Sequence, residues 1–225
     1  MDTSASKRID LHYESLPKNT VKAFEFLSTQ SWLETGGWYL AGGTALALQT
    51  GHRKSVDLDF FTIEKDFTAT DVLSHFVNVP SWKTEMDRKN TIYGSFEGAK
   101  VSFIAYPFFV PKTEYVHFGS IRIIQPRDIA VMKIIAVSQR GRKRDFFDLY
   151  WTAHHLETLE ETIRRLPEQY PSVAHDYHHI LKALVYFDDA ESDPDPELNF
   201  NVDWKEVKSF FEKEIPLILN KLIGD

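Results

Sequence analysis

Apolar residues recur at helical spacing over 17–30, with Pro17 near the first turn and Ser15 placed to cap it. After a Gly36-Gly37 turn, 38–41 has the character of a short apolar strand. Gly42-Gly43 then predicts a tight turn, and 44–50 (TALALQT) a short helix with Thr44 as its cap. Alternation returns at 56–62 (VDLDFFT), the pattern of a strand, and a helix over 70–77 follows with Thr70 as its cap. Strands are predicted over 82–87, 91–96 and 100–106. Only Glu97-Gly98-Ala99 separates the last two, so they pair as an antiparallel hairpin. A further strand at 121–124 runs into Pro126 and Asp128, which open a helix over 127–139. Beyond Gly141 the spacing is helical over 144–155, 159–165, 172–187 and 204–222. The organisation therefore changes near residue 125. A small mixed sheet with a few helices occupies 1–125 and a helical domain 126–225, an α+β order of elements. Segment 188–197 (DDAESDPDPE) has six acids and two prolines and reads as an exposed connector.

Composition narrows the chemistry. Among 225 residues, 43% are hydrophobic, as in an ordinary globular protein, and none is cysteine. Disulfides, thiolate metal sites and cysteine nucleophiles are thereby excluded, and any metal must sit on carboxylates or imidazoles. The first residues lack an apolar leader and no run of about 18 apolar residues occurs, so the sequence reads as a soluble cytoplasmic protein without a membrane partner. The 33 acids exceed the 26 Lys and Arg by seven, which argues against a surface that grips nucleic acid all over but leaves room for a local basic patch.

The candidate chemistry concentrates in 40–61, LAGGTALALQTGHRKSVDLDFF. Successive strand residues point to opposite faces, so Asp57 and Asp59 share one face while Leu58 and Phe60 take the other. Two adjacent carboxylates repel unless a cation lies between them, and Mg²⁺ (or Mn²⁺) suits a pair of hard oxygen ligands completed by water and phosphate. The same DxD spacing also occurs on solvated strand faces. Upstream, Gly42, Gly43 and Thr44 lie where a strand gives way to a helix. Backbone N–H groups and the helix dipole favour phosphate there, and glycine permits its close approach. The same turn would also serve simply to pack a helix on a sheet. Together the two elements describe a nucleoside triphosphate site, although neither GxxxxGK[ST] nor GxGxxG is present. His52 and Arg53, at the end of the short helix, are within reach of such phosphates.

Lys133 lies on an otherwise apolar helix (IAVMKIIAV), where a lysine either snorkels to solvent or meets an anion. Arg140, Arg142, Lys143 and Arg144 place four bases in five residues. Such runs are commonly solvated faces, but next to a nucleotide site this one is a candidate RNA-binding patch.

GGTALALQTGHRKSVDLDFF and PRDIAVMKIIAVSQRGRKRDFFDLY (126–150) resemble, in the right order, the two motif blocks of the nucleotidyltransferase-like AbiEii/AbiGii toxins of type IV toxin–antitoxin and abortive-infection systems. The resemblance implies a minimal nucleotidyltransferase fold followed by a helical half, transfer of a nucleoside monophosphate from an NTP, and a cognate antitoxin. In some members of that family the acceptor is the 3′ end of tRNA. By position it implies that Gly43 and Thr44 contact triphosphate, Asp57 and Asp59 hold the metal, Lys133 contacts phosphate, and Asp145 and Asp148 form the family's late acidic motif.

Active enzymes of this fold place a third carboxylate on a neighbouring strand. Here that strand reads KVSFIAY, with Ser102 at the position, so the general base is unassigned; Glu85 or Asp87 would substitute only if strand order brought them near. A nucleotide-binding module that engages an antitoxin or RNA without catalysis, and an antibiotic nucleotidyltransferase, are the alternative readings. His175, His178 and His179 fall on one helix face, but nothing supplies a further metal ligand. Phe146, Phe147, Tyr150 and Trp151 recur at helical spacing, as core residues do.

Overall fold

A computed structural model describes residues 10–222. The predicted 17–30 helix is two, α1 (Lys18–Ser28) and α2 (Ser31–Thr35). Pro17 takes the cap position of α1 without a side-chain bond, and Ser15 is buried in the preceding turn with no capping role. Strand β1 (Tyr39–Ala41) passes directly into α3 (Gly42–Thr50), so the glycines are the first helical residues and not a separate turn. Thr44 does not cap α3; its hydroxyl donates to Ser55 Oγ at 2.8 Å. Strand β2 (Leu58–Thr62) and helix α4 (Ala69–Ser74) follow, Thr68 and not Thr70 preceding α4. Next come β3 (Trp82–Arg88), β4 (Thr91–Phe96) and β5 (Ala99–Ala105), the last two forming the expected hairpin. A short strand that the sequence did not announce, β6 (Val116–Phe118), pairs with β7 (Ile121–Ile123).

The remaining elements are helices: α5 (Pro126–Arg140), α6 (Lys143–His155), α7 (Leu159–Arg164), α8 (Leu166–Gln169), α9 (Tyr177–Ala183), α10 (Asp188–Glu191) and α11 (Trp204–Leu222). The predicted 172–187 helix shrinks to α9 because Asp176 caps it, its carboxylate accepting the His179 N–H at 3.0 Å. His175 thus lies outside the helix, and the three histidines do not share a helical face.

The seven strands form one mixed sheet in the order β3-β4-β5-β2-β1-β7-β6. β2 runs parallel to β5 and antiparallel to β1, which itself runs parallel to β7. Leu58, Phe60, Ile92, Val101 and Phe103 bury one face. There the Phe103 ring meets Trp32 of α2 and four more aromatic rings, Trp38, Phe60, Phe76 and Trp82. The opposite face, carrying Asp59 and Phe61, looks toward α5 across a cavity. A single core continues from the sheet into the helices, where Phe146 and Phe147 are buried, as their spacing suggested, together with Phe211. No described helix is long and apolar enough to cross a membrane.

The acidic connector is exposed as expected, but it is also docked. It begins with the turn of α10, and Asp193 and Asp195 accept from Arg142 and Lys143 at 2.8 and 3.0 Å. Its end pairs with the loop after α3, where Lys54 donates to Glu197 O and Asn199 to His52 O, both at 2.8 Å.

Because Phe103 is fully buried at the meeting point of five other aromatic rings, Phe103→Ala is expected to lower unfolding free energy by about 3–5 kcal/mol. Denaturant unfolding followed by tryptophan fluorescence checks this.

Candidate active site

Strand register places the parts of the site. Ala41 lies opposite Asp59, so α3 opens directly beside that carboxylate. Gly42 adopts a φ of +75°, and a Cβ there would stand 3.1 Å from Asp59 Oδ2. Glycine is needed at this position for the left-handed backbone and because the helix start and the carboxylate nearly touch. Gly43 is confined differently: any Cβ would collide with the Arg53 guanidinium. The first-turn N–H groups of α3 have no intrahelical acceptors and border the cavity, the arrangement that binds phosphate oxygens.

The cavity, about 550 Å³, lies between the polar face of the sheet and α5. Gly42, Gly43, Thr44, Arg53, Asp57 and Asp59 line one end, and Lys133, Arg140 and Arg144 line it from α5 and α6. Asp57 has a buried Oδ1 with no hydrogen-bond partner, and its Oδ2 is 3.9 Å from Arg144. Asp59 accepts the Ser102 hydroxyl at 2.7 Å. Burial, reinforced by the Asp57 charge, pushes the Asp59 carboxyl above its usual range, with the Ser102 bond opposing the shift. An orphaned buried carboxylate oxygen beside a second carboxylate is a donor set that a divalent cation would satisfy. The described residues contain no cluster of three His, Asp or Glu ligands, so such an ion would complete its shell with water and substrate, as Mg²⁺ does.

Behind the cavity stands a second pair of acids with a different task. Asp148 is fully buried and accepts from Arg53 Nε at 2.6 Å, Arg53 Nη2 at 2.9 Å, Lys133 Nζ at 2.7 Å and His52 Nε2 at 2.8 Å. Burial alone would raise its pKa. The Arg53 and Lys133 charges and the bonds from Arg53 and His52 outweigh it and hold the carboxyl well below the usual aspartate range. Asp145, also buried, pairs with Lys133. Neither acid lines the cavity. His52, expected within reach of phosphate, is instead buried against Asp148, and its desolvation lowers its pKa, keeping the ring neutral.

Lys133 has therefore met anions of the protein itself and still faces the cavity. The four-base run divides: Arg140 and Arg144 border the cavity, whereas Arg142 and Lys143 are turned to the acidic connector. Lys143 is buried beneath Trp204, so it presents no free charge to RNA.

Asp59, Ser102 and Tyr93 stand side by side on β2, β5 and β4, so a serine faces Asp59 from the neighbouring strand. Glu85 lines the cavity but sits on β3, three strand spacings or roughly 14 Å from Asp59, too far to share one metal ion with it. Asp87 does not line it. Tyr93, Lys100 and Ser55 also line the cavity, although no sequence motif marks them. The first two alternate onto the same face as Ser102, a signal readable once the hairpin register is known.

Comparison with known proteins adds a family. The model described as nucleotidyl transferase AbiEii toxin of type IV toxin–antitoxin systems matches residues 33–108 and 100–221. An uncharacterized protein of Aquifex aeolicus, aq_aa25, is 34% identical over 181 residues, 79% of this chain and 86% of that protein. The fold is similar to that of MenT4, a nucleotidyltransferase toxin of Mycobacterium tuberculosis, with a TM-score of 0.55 and 14% identity over 90% of this chain and 84% of that one. It is also similar to an H. pylori protein proposed to be a nucleotidyltransferase, with a TM-score of 0.51 and 20% identity over 92% and 97% of the two chains.

Removing the Asp148 charge leaves Arg53 and Lys133 under-compensated in the interior. Asp148→Asn is expected to destabilise the fold by about 3–5 kcal/mol in denaturant unfolding at pH 7. Because the native pKa is depressed, the wild-type advantage is complete above the ordinary aspartate pKa of about 4 and declines as pH falls from there toward the native value.

Proposed function

The chain belongs to the nucleotidyl transferase AbiEii toxin family, and from that premise we propose that it transfers a nucleoside monophosphate from an NTP to the 3′-hydroxyl of an RNA such as tRNA, under the control of a cognate antitoxin. The observation that carries this reading is the pairing of a glycine helix start with Asp57 and Asp59, faced by cations that buried acids hold in place.

Gly43 and Thr44 present backbone donors to the β- and γ-phosphates, and Arg53, beside Gly43, and Lys133, from α5, neutralise them. Arg140 and Arg144 add positive charge at the mouth. Asp57 and Asp59 are the residues that would hold Mg²⁺ or Mn²⁺. When bound, that ion supplies charge neutralisation at the α-phosphate and a template for its non-bridging oxygens. Asp145 and Asp148 are positioning residues. They fix Lys133 and Arg53 before substrate arrives, so little reorganisation is needed as charge develops on the leaving pyrophosphate. In the transfer, the acceptor oxygen forms a bond to the α-phosphorus, the α–β bridging bond breaks, pyrophosphate leaves, and the hydroxyl proton passes to water.

The serine at 102 favours a second reading, a nucleotide-binding module that engages its antitoxin or RNA without turnover. Calorimetric titration with Mg²⁺ and NTP separates the two, because binding without label transfer to any RNA supports only the module.

Asp57 makes no hydrogen bond through Oδ1 and repels Asp59, so Asp57→Asn is expected to leave unfolding free energy unchanged or slightly higher. Transfer of labelled NTP to total tRNA should fall by about 100-fold or more. Equal labelling by wild type and variant would defeat the assignment.

A further inference from the structure

In-line displacement orders the cavity. The phosphate-binding helix start follows β1, and of the metal-binding carboxylates Asp57 immediately precedes β2 and Asp59 stands on it, so the leaving pyrophosphate lies on the β1 side. Attacking and leaving oxygens are roughly collinear across phosphorus. The acceptor must therefore arrive from the other side of β2, over β5 and β4. There the lining is Ser102, Lys100 and Tyr93.

Tyr93 is 41% exposed although its strand is paired on both sides, and lies in register with Ser102, which is in register with Asp59. Two strand spacings put its backbone roughly 10 Å from that of Asp59. Lys100 is exposed on the same face and has no ion-pair partner among the described residues.

Resting on the proposed transfer reaction, we propose that Tyr93 is the stacking platform for the 3′-terminal base of a single-stranded RNA acceptor, with Lys100 meeting its backbone phosphate. A flat aromatic side chain offers every base a face to stack on, and the cation follows the backbone. Glu85, at the far side of the ring, meets the edge of the base and not the phosphates. The platform accounts for acceptor selection at a site that has lost the third carboxylate. Position, set by stacking, brings the hydroxyl to phosphorus.

The test is binding, measured apart from turnover. A 5′-fluorescein single-stranded RNA with a free 3′-hydroxyl is titrated by anisotropy with the full chain, Mg²⁺ and a non-hydrolysable NTP analogue. Tyr93→Ala is expected to weaken RNA binding about tenfold or more, Tyr93→Phe to bind within about twofold of wild type, and NTP affinity by calorimetry to stay unchanged in both. RNA binding indifferent to Tyr93→Ala, a loss of NTP affinity instead, or no RNA binding by wild type would each overturn the proposal. Tyr93-dependent RNA binding without transfer would keep the platform and remove the proposed reaction, so the two readings fail separately.

Discussion

The buried carboxylate of Asp148 organises this protein. It draws the loop after α3, through His52 and Arg53, and the middle of α5, through Lys133, onto one point of α6. Arg53 has no second ion-pair partner among the described residues and Lys133 has only Asp145 beside it, and a buried cation left without an anion costs several kcal/mol. The ion network is thus a geometric constraint: α5, α6 and the sheet meet only in the arrangement that satisfies it. The acidic connector reinforces the constraint from outside, because its end hydrogen-bonds to the same loop.

One consequence is a layered charge distribution. Asp145 and Asp148 lie innermost, Lys133 and Arg53 over them, and Asp57 and Asp59 line the same cavity as those cations. The inner acids keep the cations fixed and charged, yet they leave them facing open space. The outer acids remain short of positive charge, since their nearest cation, Arg144, stands 3.9 Å from Asp57. A cavity lined both by restrained cations and by unsatisfied carboxylates is complementary to a metal triphosphate, in which both signs occur close together.

What the sequence disclosed follows physical range. Strand alternation is a local rule, so the shared face of Asp57 and Asp59, and the serine where a third acid would stand, were both legible from residue order. Glycine at 42 was readable too, although as a turn and not as the first residue of α3. Capping failed where a helix began earlier than its pattern suggests: α3 starts at Gly42, which puts Thr44 inside it, and the hydroxyl turns to Ser55. The two late aspartates were recognisable as a motif, but the pattern RDFFDLY does not say whether its acids meet substrate or hold cations from behind. That depends on burial, set by how α6 packs on α5. In the same way, the acids of 188–197 answer bases some fifty residues earlier, a complementarity that charge counting averaged into a single net value.

In the proposed reaction the outer acids bind metal, while the inner acids only hold the cations that would meet phosphate. A crystal structure of the full chain with Mn²⁺ and a non-hydrolysable NTP analogue tests it most directly through the anomalous signal of the metal. The expected result is a peak between Asp57 and Asp59, with the triphosphate along Gly43, Arg53 and Lys133. A peak at Asp145 or Asp148, or a triphosphate bound away from the start of α3, would contradict it.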